Sequence, residues 1–340
     1  MNFNAIVGNP PYQRSDGSGA SDDSAVPIYN QFVDFAKQIN PEYISMIMPS
    51  KWMVGGRGLN NFRSEMIKDH RLEKIFDFED ARVCFSNVHI DGGICYLLWN
   101  RNYDGPVYHE FTKNNGTVVK VEHYLGNEFS DYVIRDTSVL SLINKLNLEN
   151  SFSQFVSSTQ PFGVRKDVYN NPEKYKKYNI SEEYKEGKVK VYGVKGIKGG
   201  AKRTAAYFDK SIVQRGEEYI DKYKLFFTTS YSTNAIIPPQ AIVGAPGEIC
   251  TETFLMIGPF EDSKECENCK KYMETDFFRT LLYYGKGTMQ VTKNVFSYIP
   301  MMDFSKEWTD EKIIEHFMLD KNDIDLIRNT MKKEVTDGEN

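Results

Sequence analysis

Cysteine is scarce: five in 340 residues, at positions 84, 95, 250, 266 and 269. That odd number, thinly spread, excludes a disulfide-stapled fold and is the usage of a cytoplasmic protein. The five histidines (His70, His89, His109, His123 and His316) show no paired ligand spacing. Cys266 and Cys269 have no second pair to complete a zinc site, so no metal is expected. No apolar run approaches the roughly 18 residues of a membrane span, and the first residues lack the basic start and apolar stretch of a secretory signal. Neither sign of charge dominates: 42 Lys+Arg against 47 Asp+Glu give a net charge of −5. This excludes a polycation that coats nucleic acid but leaves room for a local basic groove. A Gly-x-x-x-x-Gly-Lys-Ser/Thr loop and a nucleophile elbow are both missing.

What is present is an apolar share of 40%, rich in aromatics, enough for a sizeable core. The first 100 residues alternate strand and helix. A short strand, Ala5-Ile6-Val7, ends at Gly8; residues 13–24 are a polar loop; Pro27 opens a helix whose residues Ile28, Phe32, Phe35 and Ile39 read as one buried face. A strand around Ile44 follows, stopped by Pro49, then a helix with Leu59, Phe62, Met66 and Ile67, and two strands around Phe76 and Leu97. This alternation predicts α/β layering with a largely parallel sheet. A helix near Leu140 leads to short strands and polar loops, and residues 262–284 read as helical. Cys266, Cys269, Met273, Phe277 and Leu281 share one face there, a core stripe. Thr309 caps a further helix, a last one starts near Asp320, and the final six residues read as frayed.

Residues 165–224 hold 16 Lys+Arg against 9 Asp+Glu. Within them Lys188, Lys190, Lys195, Lys198, Lys202 and Arg203 lie on a Gly-rich stretch suited to phosphate contacts. Gln290, Thr292, Lys293 and Asn294 form a second polar loop able to reach base edges or phosphates.

The chemistry concentrates in Asn9-Pro10-Pro11-Tyr12, directly after the first strand. Loops at the carboxyl ends of strands in open α/β sheets are where ligands bind. Two prolines stiffen the turn, so the Asn9 side-chain oxygen and the Pro10 carbonyl can both accept from one planar amino group. That localises a nitrogen lone pair otherwise delocalised into a ring, while Tyr12 offers a flat stacking face.

On these residues the chain resembles the adenine-specific DNA methyltransferases of type II restriction–modification systems, from their catalytic turn onward. Pro27-Ile28-Tyr29, Met48-Pro49-Ser50-Lys51-Trp52, Gly56-Arg57-Gly58-Leu59, Cys84-Phe85-Ser86-Asn87-Val88, Gly92-Gly93-Ile94, Cys250-Thr251-Glu252-Thr253-Phe254, Phe296-Ser297-Tyr298-Ile299-Pro300 and Trp308-Thr309-Asp310-Glu311 extend the similarity along nearly the whole chain. The resemblance implies transfer of a methyl group from S-adenosylmethionine to the exocyclic amine of an adenine flipped from duplex DNA. It gives Asn9, Pro10 and Pro11 the amine-binding turn and places Tyr12 and Phe85 on the two faces of the base. The implied fold is a partial, Rossmann-like methyltransferase sheet followed by an α+β DNA target-recognition domain. The domains expected are 1–125 (catalytic), 126–150 (connecting helix), 151–305 (target recognition) and 306–340 (terminal helices and tail).

The family's cofactor-binding Gly turn and acidic strand end belong before the catalytic turn, and only eight residues precede Asn9. The expectation is therefore that the main S-adenosylmethionine motif is absent and that a second polypeptide supplies it to a sheet left with an open edge. Two alternatives stand beside this: a non-catalytic DNA-recognition remnant or split subunit, and a methyltransferase acting on protein glutamine or RNA. The basic extension favours DNA.

Overall fold

The computed structural model describes residues 3–14, 26–56, 58–88, 90–126, 132–198, 200–233 and 235–337, side chains of 333–337 aside. Most of the expected 13–24 loop, Arg57, His89 and the last three residues lie outside that set. The chain divides into two compact units, residues 1–144 with 284–288, and residues 145–283 with 289–340.

The first unit is built on β1 (Ala5–Gly8), the short pair β2 (Gln13–Arg14) and β3 (Val26–Pro27), α1 (Tyr29–Ile39), β4 (Tyr43–Pro49), α2 (Asn60–Lys68), β5 (Leu72–Phe78), β6 (Ile94–Asn100), β7 (Val107–Thr112) and β8 (Val118–His123), with the single-turn α3 (Leu140–Ile143) behind them. Six strands form one sheet in the order β1-β4-β6-β5-β7-β8. It is mixed and not largely parallel: β1/β4 and β5/β7 run parallel, while β4/β6, β5/β6 and β7/β8 run antiparallel. The correction comes from β6, which enters between β4 and β5 in the opposite direction. An apolar run gives a strand's burial but not its sense.

Period-two alternation separates the two faces of this sheet. Ile44, Met46 and Met48 of β4, Cys95, Leu97 and Trp99 of β6, and Leu72 and Ile75 of β5 are buried with Tyr29, Val33 and Ala36 of α1 and Phe62 and Met66 of α2. The opposite face carries half-exposed Ile47, Phe76, Tyr96, Leu98 and Tyr108, with Phe76 stacked on Tyr96 at 4.7 Å. In α1 the buried stripe is Tyr29, Val33 and Ala36, not the expected one: Phe32 is 42% and Phe35 62% exposed. The helix carries two apolar stripes, and the one without bulky aromatics at its centre fits against β4.

The second unit holds β9 (Lys188–Ile197), β10 (Gly200–Asp209), β11 (Tyr223–Thr228), β12 (Ile242–Gly244), β13 (Glu248–Cys250), β14 (Phe254–Phe260), α4 (Ser263–Met273), α5 (Asp276–Gly285, whose last residues go with the first unit), α6 (Asp310–His316) and α7 (Lys321–Asp337). Two three-stranded sheets, β10-β9-β13 and β12-β11-β14, enclose a core of Phe162, Val191, Phe208, Phe226, Ile249 and Phe254. Cys266, Cys269, Met273, Phe277 and Leu281 are all buried, and Thr309 caps α6 by accepting from the Lys312 N–H. Among the described residues no helix is long and apolar enough to cross a membrane, and no group of three His, Cys, Asp or Glu could hold a metal ion.

Candidate active site

The turn begins where β1 ends. Gly8 lies beside Met46 of β4, and the pairings make β1, β4 and β5 point their carboxyl ends the same way. Asn9–Tyr12, Ser50–Met53 and Ala81–Phe85 therefore leave the sheet from one end. The Tyr12 carbonyl accepts from the Ile28 N–H at 3.1 Å, and Gln13 pairs with Pro27, so the exit of the turn is tied to the start of α1. Asn9 and Pro11 are exposed and Pro10 is buried. Within the described residues nothing hydrogen-bonds the Asn9 side chain.

Tyr12 is half-buried against the first unit's core. Its hydroxyl is buried without a hydrogen-bond partner among the described residues. Burial, and after it the neighbouring thiols of Cys84 and Cys95, holds that hydroxyl's pKa above the ordinary tyrosine value. Cys84, the chain neighbour of half-buried Phe85, is thus within electrostatic reach of Tyr12. The loop is short and fixed: Asp80 accepts from the Arg82 N–H at 2.9 Å, and the Phe85 N–H reaches the Ala81 carbonyl at 2.9 Å. Val83 and Val88 on it are 61% and 46% exposed.

Beneath these loops lies a polar cluster to which sequence reasoning assigned no role. Asp77, fully buried near the end of β5, accepts from Nε and Nη2 of Arg135 at 2.7 Å each and from the Ser50 hydroxyl at 2.5 Å. His109 stands 4.0 Å from the same carboxylate and 3.3 Å from His123. Desolvation pushes His109 down to about 4, outweighing the opposing pull of the Asp77 carboxylate, and the charges of His123 and Arg135 add to the lowering. An acidic residue at a buried position of an apolar strand, Ile75-Phe76-Asp77-Phe78, was the available signal. Arg63 does similar work nearby, donating to the carbonyls of Trp52 and Gly55 at 3.1 and 2.9 Å.

The basic positions all fall on the β9–β10 hairpin or its turn, but they differ in kind. Lys188 is buried and donates to the Asn179 carbonyl and the Ser181 hydroxyl, which removes it from the phosphate-contact set. Lys190 pairs with Glu248 at 3.0 Å and lies over the Tyr192 ring, so its charge is already met. Arg203 is exposed and donates to the Gln240 carbonyl at 2.9 Å. Lys195, Lys198 and Lys202 are exposed.

The chain resembles the restriction–modification methylases. In particular, residues 1–85 match the Eco57I restriction-modification methylase family. An uncharacterized adenine-specific methylase of Mycoplasma pneumoniae (strain ATCC 29342 / M129 / Subtype 1) is 42% identical over 106 residues, 31% of this chain and 25% of that protein. The chain thus spans about a quarter of the length of the curated relative it matches. Solved structures with a distant likeness include the type IIL restriction-modification enzyme MmeI in complex with DNA (9% identity, TM-score 0.43, 85% of this chain and 44% of that one). Another is the type IIG restriction endonuclease BpuSI (10% identity, TM-score 0.30, 96% and 49%).

Proposed function

We propose that this chain carries the amine-binding part of an adenine-specific DNA methyltransferase of a restriction–modification system. The observation that supports it most is the turn itself: Asn9 exposed and, among the described residues, unpaired at the carboxyl end of β1, with the loop that carries Phe85 leaving the same end of the sheet. The Asn9 amide oxygen and the Pro10 carbonyl accept the two hydrogens of the adenine amine, and Tyr12 and Phe85 stack on the flipped base. The nitrogen lone pair then points out of the ring plane as a nucleophile, and the proton leaves the amine after methylation. Flipping costs a few kcal/mol, which stacking offsets at about 1–3 kcal/mol per aromatic face.

Methyltransferases of this family use S-adenosylmethionine, which supplies an electrophilic methyl group. At this end of the sheet Asp77 is taken by Arg135 and Ser50 and Asp80 is paired with Arg82, so neither carboxylate is free to hold its ribose. The outer edge of β1 is unpaired among the described residues, and there a further polypeptide segment would extend the sheet and complete the cofactor pocket. The second unit, on this reading, recognises the DNA target.

Mapping N6-methyladenine across the genome of the organism that encodes the chain, with and without Asn9→Ala on the chromosome, tests the assignment. One methylated motif should disappear in the variant. An unchanged map removes Asn9 from the chemistry and leaves a recognition remnant, or a protein or RNA substrate.

A further inference from the structure

The β9–β10 hairpin is longer than the sheet it belongs to. Each strand has ten residues, yet β13 pairs only with Lys190–Tyr192. The base is held firmly. The Tyr169 hydroxyl bonds the Val191 carbonyl and accepts from the Ala206 N–H, and Gly193 makes room for that ring, since a Cβ there would lie 2.4 Å from it. Beyond Gly193 and Thr204 the two strands continue with no third strand beside them among the described residues, four residues each, roughly 13 Å at about 3.3 Å per residue.

The tip is slim and cationic. Gly196, Gly200 and Ala201 add almost no bulk, and Lys195, Lys198, Lys202 and Arg203 are exposed. Lys195 stands directly opposite Lys202 in the ladder. Two like charges on one face of a cross-strand pair repel, and among the described residues neither has an acidic partner. At the base the same hairpin answers its cations, Lys190 with Glu248 and Lys188 with a carbonyl and a hydroxyl. The outer edge of β9 is blocked near the tip, where the Gly196 N–H donates to the Asn170 side chain at 2.8 Å. This closes the outer edge of β9 there to strand addition.

We infer that this ribbon enters the major groove of duplex DNA, with Lys195, Lys198 and Lys202 bonding the phosphates that flank it. The inference rests on the DNA-methyltransferase reading and adds the groove, the element and the three cations. The major groove, about 12 Å wide, admits a two-stranded ribbon, whereas the minor groove, about 6 Å wide, does not. A facing lysine pair is relieved of its repulsion when each meets a phosphate, and each contact makes binding steeper in salt.

The test is binding of a short mixed-sequence duplex to the full chain, followed by fluorescence anisotropy between about 50 and about 200 mM salt. Lys195→Ala/Lys198→Ala/Lys202→Ala should weaken binding roughly 10- to 100-fold at the upper end and flatten the log–log salt slope by about 2–3. Lys264→Ala/Lys306→Ala/Lys321→Ala, an equal loss of exposed charge elsewhere in the same unit, should leave the slope unchanged. Duplex whose cytosines carry glucosylated hydroxymethyl groups, filling the major groove, should fail to bind, and distamycin in the minor groove should not compete. An unchanged slope in the ribbon variant, or competition by distamycin alone, overturns the ribbon assignment while DNA binding stands. A parent chain that binds no duplex at any salt overturns the DNA reading beneath it.

Discussion

At the scale of single residues, Asp77 shows how the site's support depends on a fully satisfied buried charge. Its two oxygens are shared among Arg135 and Ser50, and with Arg135 nearly as buried as Asp77 neither can be solvated if the other is lost. Removing one member of a buried pair costs about 3–5 kcal/mol. Arg135→Met should lower urea-unfolding stability by that order, and adding Asp77→Asn should recover part of it; a loss under about 1 kcal/mol would mean the pair is not desolvated. His109 gives the pH dependence. Asp77, Arg135, His123 and Asp136 face it, burial dominates, and it is held neutral with a value of about 4 against an ordinary 6.5. The unfolded chain therefore takes up a proton below about 6.5 that the folded chain refuses until about 4. Stability from this residue is complete above that window and is lost as pH falls through it, on the order of 3 kcal/mol. His109→Gln should flatten the slope of stability against pH between those limits, as chemical denaturation at several pH values would report. The lysines of the hairpin mark the limit of the sequence at this scale. Six basic positions looked equivalent as letters, and only burial and partners separate Lys188 and Lys190 from Lys195, Lys198 and Lys202.

At the scale of elements, the carboxyl ends of β1 and β4 were legible because each strand stops at a recognisable breaker, Gly8 before Asn9-Pro10 and Pro49 before Ser50. The direction of β6 was not, since neighbours and not composition decide it. Nor was the buried face of α1, because Phe32 and Phe35 hold a helical period as well as Tyr29, Val33 and Ala36 do. Periodicity identifies a helix but does not say which of two apolar stripes meets the sheet. Gly93, which opens β6, shows what fixes that strand's entry. Its φ is +76°, and an added Cβ would sit 2.1 Å from the Phe78 carbonyl oxygen and 2.7 Å from that of Glu79. Its own carbonyl accepts from the Ser50 N–H at 3.1 Å, tying β6 to the loop that leaves β4. Gly93→Ala should destabilise the chain by about 2 kcal/mol or more, measured by thermal or urea unfolding. Gly116→Ala meets nothing within 4 Å at a comparable φ of +80° and isolates the cost of backbone strain alone. Equal effects at the two glycines would show that the contact with β5 contributes nothing.

At the scale of the whole molecule, the first unit is asymmetric. One sheet face is sealed by α1 and α2, the other is half-exposed and aromatic, and β1 offers an edge unpaired among the described residues, with Val7 78% and Phe3 51% exposed. Phe32 and Phe35 add an apolar stripe on α1, the helix that follows the turn. Exposed edges and contiguous apolar surface are avoided on isolated soluble domains, so their joint presence here fits a surface that another polypeptide segment covers. Val7 and Phe35 are the positions to change, because their side chains point away from the core. Val7→Lys with Phe35→Lys should alter unfolding stability by no more than about 0.5 kcal/mol, as for surface substitutions generally. The parent chain should self-associate at concentrations where the purified double variant stays monomeric, as sedimentation would report. In the organism that encodes it, the same pair should erase the methylated motif that Asn9→Ala erases, although neither residue touches the proposed amine-binding groups. Loss of methylation with a stable monomer would mean the surface is occupied in the working enzyme. Intact methylation would mean β1 is a true edge, and the cofactor would then have to be held by residues of this chain alone.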